Sequence, residues 1–146
     1  MTAAKAYIAN LIFTGDEWLR DHAVIAEQGI IKNVLPAKEI PAGTEPEYFT
    51  ESILAPAFID LQIYGAYEKL FAVYPTAEAL SLLNDYSNNG GAAYCMPAVA
   101  TNKPEVFYQC IDAIRDYWQQ GGQGIMGLHA EGPWINKEKR GAHIES

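Results

Sequence analysis

The sequence predicts an α/β protein whose larger part opens a parallel (β/α) barrel of the TIM type. Two observations predict it. Between Phe58 and Leu128, apolar runs of strand length alternate with helical stripes, the signal for βαβ units and a parallel sheet. The last run, Gly124-Ile125-Met126-Gly127-Leu128, empties into His129-Ala130-Glu131-Gly132-Pro133. A buried strand feeding a loop of His, Glu and Gly is how such a barrel presents its chemistry.

Taken in order, Tyr7 to Phe13 is a strand that Thr14-Gly15-Asp16 turns. His22 to Ile25 and Ile30 to Val34 flank Gln28-Gly29 and read as a hairpin. His22 lies beside Arg20 and Asp21 and reads as a solvated edge residue. Pro36 to Thr50 holds Pro36, Pro41, Gly43 and Pro46, the composition of a loop or connector. Phe58 to Ile63 is the first strand of the parallel series.

Thr76 caps a helix running to Asn89, with Ala79, Leu82, Leu83 and Tyr86 on one stripe and Gly90-Gly91 as its stop. Ala92 to Val99 is the second strand, and Pro97, which removes a ladder donor, predicts fraying or a bulge near its end. Pro104 opens a second helix reaching Gln120, with Phe107, Cys110, Ile111, Ile114 and Trp118 at helical spacing. Gly121-Gly122 ends it, and the third strand starts at Ile125. Right-handed crossovers are expected between these parallel strands. Tyr86, Tyr117 and Trp118 read as packing residues rather than a sugar platform.

A chain of 146 residues, 49% apolar and 19% charged, has the composition of a soluble globular protein. Its net charge of −8 argues against nucleic acid or an anionic membrane as partner. No stretch approaches the roughly 20 apolar residues of a membrane span. Cys95 and Cys110 lack metal-type spacing and read as reduced core thiols, which with the absence of a signal-peptide pattern predicts a cytoplasmic home. Gly121-Gly122-Gln123-Gly124 lacks the residues of a phosphate-binding loop.

The chemistry concentrates between His129 and His143. Alternate strand residues share a face, so His129 and Glu131 point the same way. Two readings follow: a metal site at a strand end, or a His–Glu hydrogen bond that only orders the loop. The run His129-Ala130-Glu131-Gly132-Pro133-Trp134 and on through Lys139-Arg140-Gly141-Ala142-His143 resembles a long signature, His-x-Glu-Gly-Pro followed by Lys-(Lys/Arg)-Gly-(Ala/Thr)-His. That signature belongs to the N-acetylglucosamine-6-phosphate deacetylases of the amidohydrolase superfamily. Upstream, Pro56-Ala57-Phe58-Ile59-Asp60-Leu61-Gln62 is similar to the family's Pro-Gly-Phe-Ile-Asp-x-Gln.

The resemblance implies two domains: residues 1–55 as strands of a small β-sandwich, and residues 56–146 as the N-terminal portion, with the first three strands, of the barrel. It implies a hydrolase that uses metal-activated water to convert N-acetylglucosamine 6-phosphate to glucosamine 6-phosphate and acetate. Glu131 corresponds to a metal ligand, while Ala142 and His143 correspond to substrate contacts. The cofactor implied is one divalent metal ion, zinc. Gln62-Ile63-Tyr64 stands where two-metal relatives carry His-x-His, which favours a single metal. Gln62 itself reads as either a substrate contact or an orienting hydrogen bond.

The other ligands and the general base are expected beyond residue 146. A full barrel takes about 250 residues, so the chain is expected to be the N-terminal part of a longer, homo-oligomeric enzyme. Alone it is expected to bind zinc weakly and to be inactive. Two departures stand out: Ala57 replaces a glycine, and Gly65-Ala66-Tyr67-Glu68 replaces a glycine-rich turn. The alternative readings are a catalytically incomplete partial barrel with an assembly role, or an amidohydrolase acting on another N-acyl sugar or a cyclic amide.

Overall fold

The computed structural model describes residues 4–143. The chain forms two compact units, Met1–Pro56 and Ala57–Ser146. The first is a five-stranded mixed sheet. Strand β1 (Lys5–Phe13) pairs antiparallel with β2 (Trp18–Leu19) and β3 (His22–Glu27) in one continuous register, Ile12 facing Leu19 and Ile8 facing Ala23. Between those partners the chain kinks at Asp21, whose φ is +55°. Strand β4 (Ile30–Pro36) completes the expected hairpin through Gln28 and Gly29, at φ +53° and +75°. Positive φ at both positions matches the right-handed twist of the strands it joins.

His22 does not sit on an edge: β3 lies between β1 and β4, and His22 is half-buried opposite Pro36.

The segment from Pro36 to Thr50 is more ordered than a connector. After a single 3-10 turn at Ala37–Glu39, β5 (Glu45–Leu54) pairs parallel with β1. Its sequence hides this, because Glu45-Pro46-Glu47-Tyr48-Phe49 lacks the apolar alternation of a half-buried strand. Pro46 is tolerated because β5 is an edge strand. The ladder is irregular between Ala9 and Leu11, where Glu51 at φ +56° donates its N–H to Asn10 Oδ1 at 2.8 Å.

The second unit runs β6 (Phe58–Ile63), β7 (Gly65–Ala66), β8 (Lys69–Leu70), α1 (Ala77–Asn89), β9 (Ala92–Ala100), α2 (Pro104–Gln119) and β10 (His129–Glu131). Strands β6, β9 and β10 form one parallel sheet with β9 in the middle. Thr76 caps α1, its hydroxyl accepting from the Ala79 N–H at 3.1 Å. Pro97 lies buried within β9, which continues to Ala100. The irregularity it predicts falls on its partner, where the register shifts between Asp60 and Ile63.

The third strand differs from expectation. Ile125 makes one parallel bridge to Cys95, then pairing lapses and resumes only at His129. Gly127 at φ +155° lies in that gap, a conformation incompatible with an unbroken strand.

The helix stripes are also rotated from those expected. In α1 the buried residues are Leu80, Leu83 and Ser87, while Tyr86 is exposed; in α2 they are Cys110, Ala113, Ile114 and Tyr117. With Phe71, Cys95, Val99 and Ile125, these buried residues except Ser87 make the main core. Each large aliphatic or aromatic side chain there contributes about 1.5–3 kcal/mol through burial. Tyr117 donates to the Gln123 carbonyl at 2.7 Å and Trp118 Nε1 to that of Ile125 at 2.9 Å. Tyr117 packs into the core as expected, whereas Trp118 is 46% exposed and does not, and both brace the approach to β10.

Candidate functional site

The carboxyl ends of three parallel strands bring the site together. Tyr64 follows β6, Thr101 follows β9, and Glu131 is the last residue of β10. Parallel pairing of Glu131 with Ala100 sets it beside Thr101. The turn after β10 then returns the chain, through a 3-10 turn at Lys137–Lys139 capped by Asn136, so that His143 meets both.

Glu131 is gripped at both oxygens. The Tyr64 hydroxyl donates to Oε2, and His143 Nε2 lies 3.3 Å from Oε1. Gln62 Nε2 in turn donates to Tyr64 Oη at 3.0 Å, so Gln62 makes an orienting hydrogen bond. Above all, the Tyr64 hydroxyl holds the Glu131 carboxyl below the usual carboxylate range; partial burial opposes this, and His143 and Gln62 add to it. The same hydrogen bond is the main reason the Tyr64 phenol is pushed up, because losing its proton would set two anions together.

His129 shares the face of Glu131, as alternation requires, yet its ring is otherwise engaged: Nδ1 lies 2.9 Å from the Leu61 carbonyl oxygen. The imidazole that pairs with Glu131 is His143, twelve residues on, rather than the adjacent one in the His129–Glu131 pattern. Ala142 is exposed in the turn preceding His143, and Arg140 Nη1 donates to the His143 carbonyl at 3.3 Å. Sequence reasoning missed Thr101. It stands alone after an apolar strand, and its partner lies 42 residues away, so nothing local signals it.

Gly132 is required at this point. Its φ is +112°, and a Cβ there would stand 2.3 Å from Thr101 Oγ1. Gly65 has a comparable role near the site mouth, where a Cβ would lie 2.0 Å from the Lys69 carbonyl oxygen. The two-residue turn it precedes places Tyr67 at φ +49° and Glu68 at φ +63°. Left-handed backbone costs a non-glycine residue about 1–2 kcal/mol, so these two departures from a glycine-rich turn are strained.

As a donor set for a divalent metal, the arrangement fits one ligand. Glu131 offers a carboxylate whose orientation is held by neighbouring donors, as metal-ligating carboxylates usually are. Among the described residues no group of three or more His, Cys, Asp or Glu is placed to hold a metal ion. Among the same residues, no helix is long and apolar enough to cross a membrane.

A family model described as the NagA composite domain matches residues 6–47. A Haemophilus influenzae relative named N-acetylglucosamine-6-phosphate deacetylase is 30% identical over 138 residues, 94% of this chain and 36% of the relative. A human protein of the same name is 38% identical over 98 residues, 64% of this chain and 24% of the relative. The crystal structure of N-acetylglucosamine-6-phosphate deacetylase from Pasteurella multocida superposes with a TM-score of 0.88 at 25% identity, covering 97% of this chain and 38% of that one. The chain thus spans about a third of the length of these relatives, and it belongs to the N-acetylglucosamine-6-phosphate deacetylase family.

Proposed function

We propose that the chain supplies the first part of a metal-dependent amidohydrolase that releases acetate from N-acetylglucosamine 6-phosphate. The observation that carries this is the doubly held Glu131 carboxylate at the carboxyl ends of three parallel strands. In this reading, Met1–Pro56 is part of a β-sandwich and Ala57–Ser146 is the first three strands of a (β/α)8 barrel. The β-α-β-α-β order supports the barrel, as does the apolar surface of Phe58, Ile59, Leu61 and Tyr94, each more than half exposed, which a closed barrel would cover. A concave apolar face of about 540 Å³ in the first unit, lined by residues such as Tyr7, Phe13, Val24 and Phe49, supports the sandwich, whose second sheet would fill it.

Glu131 is one ligand of a single divalent metal ion, zinc. When bound, that ion lowers the pKa of its water to about 7, which provides hydroxide near neutral pH. This chain's residues do the positioning. Tyr64 and His143 fix the carboxylate's two oxygens, and Gln62 fixes the Tyr64 hydroxyl. His143 and Ala142 face the sugar phosphate. The remaining ligands and the general base lie outside the described residues, since catalytic zinc takes about three protein ligands. The enzyme is cytoplasmic and homo-oligomeric in this reading.

The test fuses this chain to the remaining two thirds of the Haemophilus influenzae relative and follows acetate release. Turnover of N-acetylglucosamine 6-phosphate that a chelator abolishes and zinc restores is expected. A folded fusion that releases acetate only from a different N-acyl sugar, or that ignores the chelator, overturns the substrate or the metal. The chain alone should release no acetate.

A further inference from the structure

We propose that Thr101 is a positioning residue that fixes His143 as the Nε2–H tautomer, so that the ring faces Glu131 as a hydrogen-bond donor. His143 Nδ1 accepts from the Thr101 backbone N–H at 3.3 Å, and Thr101 Oγ1 lies 2.9 Å from the same nitrogen. A backbone N–H can only donate, so Nδ1 must offer its lone pair and cannot carry a proton itself. In a neutral imidazole the proton then sits on Nε2. That nitrogen lies 3.3 Å from Glu131 Oε1, which can only accept.

The other two histidines are built the opposite way. His22 Nδ1 lies 2.6 Å from the Arg20 carbonyl oxygen and His129 Nδ1 lies 2.9 Å from that of Leu61. A carbonyl only accepts, so in both rings Nδ1 carries the proton, and in the neutral ring Nε2 is left with the lone pair. His129 and His143 therefore present opposite hydrogen-bonding characters at the same strand end, one set by a β6 carbonyl and the other by Thr101.

The surroundings hold Thr101 to this task. It is the first residue past β9, and Gly132 packs so close that any side chain there would strike its hydroxyl. The His143 side chain is only 14% exposed, so water competes poorly for Nδ1. A ring fixed this way cannot offer Nε2 as an acceptor to Glu131 or to a ligand hydroxyl. The link from His143 to substrate rests on the function proposed above; the tautomer itself does not.

The experiment is long-range 1H–15N correlation spectroscopy of the imidazole rings in the metal-free 146-residue chain. A His143→Gln variant assigns the His143 signals. His143 should give a pure Nε2–H pattern, while His22 and His129 give Nδ1–H patterns. Thr101→Ser and Thr101→Val both retain the Thr101 backbone N–H and should keep the His143 pattern, with the His22 pattern unchanged. Gly132→Ala, whose Cβ would strike Thr101 at its hydroxyl and Cα, should displace that N–H and populate the second His143 tautomer. A His143 pattern matching those of His22 and His129 in the parent chain, or one that a folded Gly132→Ala variant leaves pure, overturns the assignment. Neither metal nor substrate is present, so loss of this inference is distinct from loss of the deacetylase reading, which rests on acetate release by the fusion.

Discussion

The same three parallel strands serve two regions built on opposite terms. Under α1 and α2 they meet a core of Phe71, Leu80, Leu83, Val99 and Ile114, each at most 3% exposed. At their carboxyl ends they carry Gln62, Tyr64, Thr101, Glu131 and His143, joined by hydrogen bonds. The first region contributes free energy through area, with little demand on direction. The second contributes little area and depends on which atom donates and which accepts. Substitutions should therefore separate cleanly, core changes moving stability and strand-end changes moving chemistry.

The largest stability effect should come from Leu83→Ala. Leu83 is 1% exposed in the middle of the α1 contact, and such truncations cost about 2–5 kcal/mol. Urea unfolding measures this, and a loss below 1 kcal/mol would mean the helix is not seated as described.

The next effect is a pH dependence of the same core. Burial pushes the Cys110 thiol up to about 11 from 9.0. Its folded pKa is raised, so its contribution is fully present below the unfolded value. It is lost as pH rises from about 9 through about 11, because the unfolded chain releases the proton more easily. Two units correspond to about 2–3 kcal/mol. Cys110→Ala should flatten that part of the stability curve, and a curve equally steep in both proteins would contradict the assignment.

Smaller and opposite in sign is the strained turn near the site. Replacing Tyr67-Glu68 by Asn-Gly suits φ values of +49° and +63°, and should raise stability by about 1 kcal/mol. The edge-to-face contact of Tyr67 with Tyr86, centroids 5.7 Å apart, is lost in that change and reduces the gain. Thermal melting decides, and a destabilised variant would show that this ring contact outweighs the backbone strain.

The smallest effect belongs to His22→Ala. Its ring is half-buried and its Nδ1 bonds a backbone carbonyl two residues away, and a change so near the surface should lie within about ±0.5 kcal/mol of neutral. A loss comparable to Leu83→Ala would show that β3 is held through this ring.

These contrasts also explain what was legible in the sequence. Three parallel strands and two helices could be read because Thr76, Pro104 and the glycine pairs punctuate long apolar periods. β5 could not, since its pairing with β1 rests on backbone hydrogen bonds that Glu45, Pro46 and Glu47 do not advertise. The helix stripes were legible in part: Leu83, Cys110 and Ile114 are buried as read, but Leu80 and Tyr117 take the places of Leu82 and Trp118, which look alike in sequence and are told apart only by packing. Glu131 was legible as a carboxylate at a strand end. Its partner Tyr64 was not, nor was Thr101, which holds His143: both come from other strands, and parallel pairing alone brings them within reach. The Gln28-Gly29 turn was readable because its backbone demand is local.

The central claim is that Glu131, held by Tyr64 and His143, is the ligand this chain gives to the metal. The measurement is acetate release by the fusion protein, compared with its Glu131→Gln variant at matched zinc occupancy and matched thermal stability. Glutamine keeps the shape and removes the charge, so a lost ligand should cost at least about a hundredfold in kcat/KM, about 2.7 kcal/mol. Bound zinc should also be lost on dialysis from the variant and retained by the parent fusion. A variant that keeps both its zinc and its rate would contradict the account.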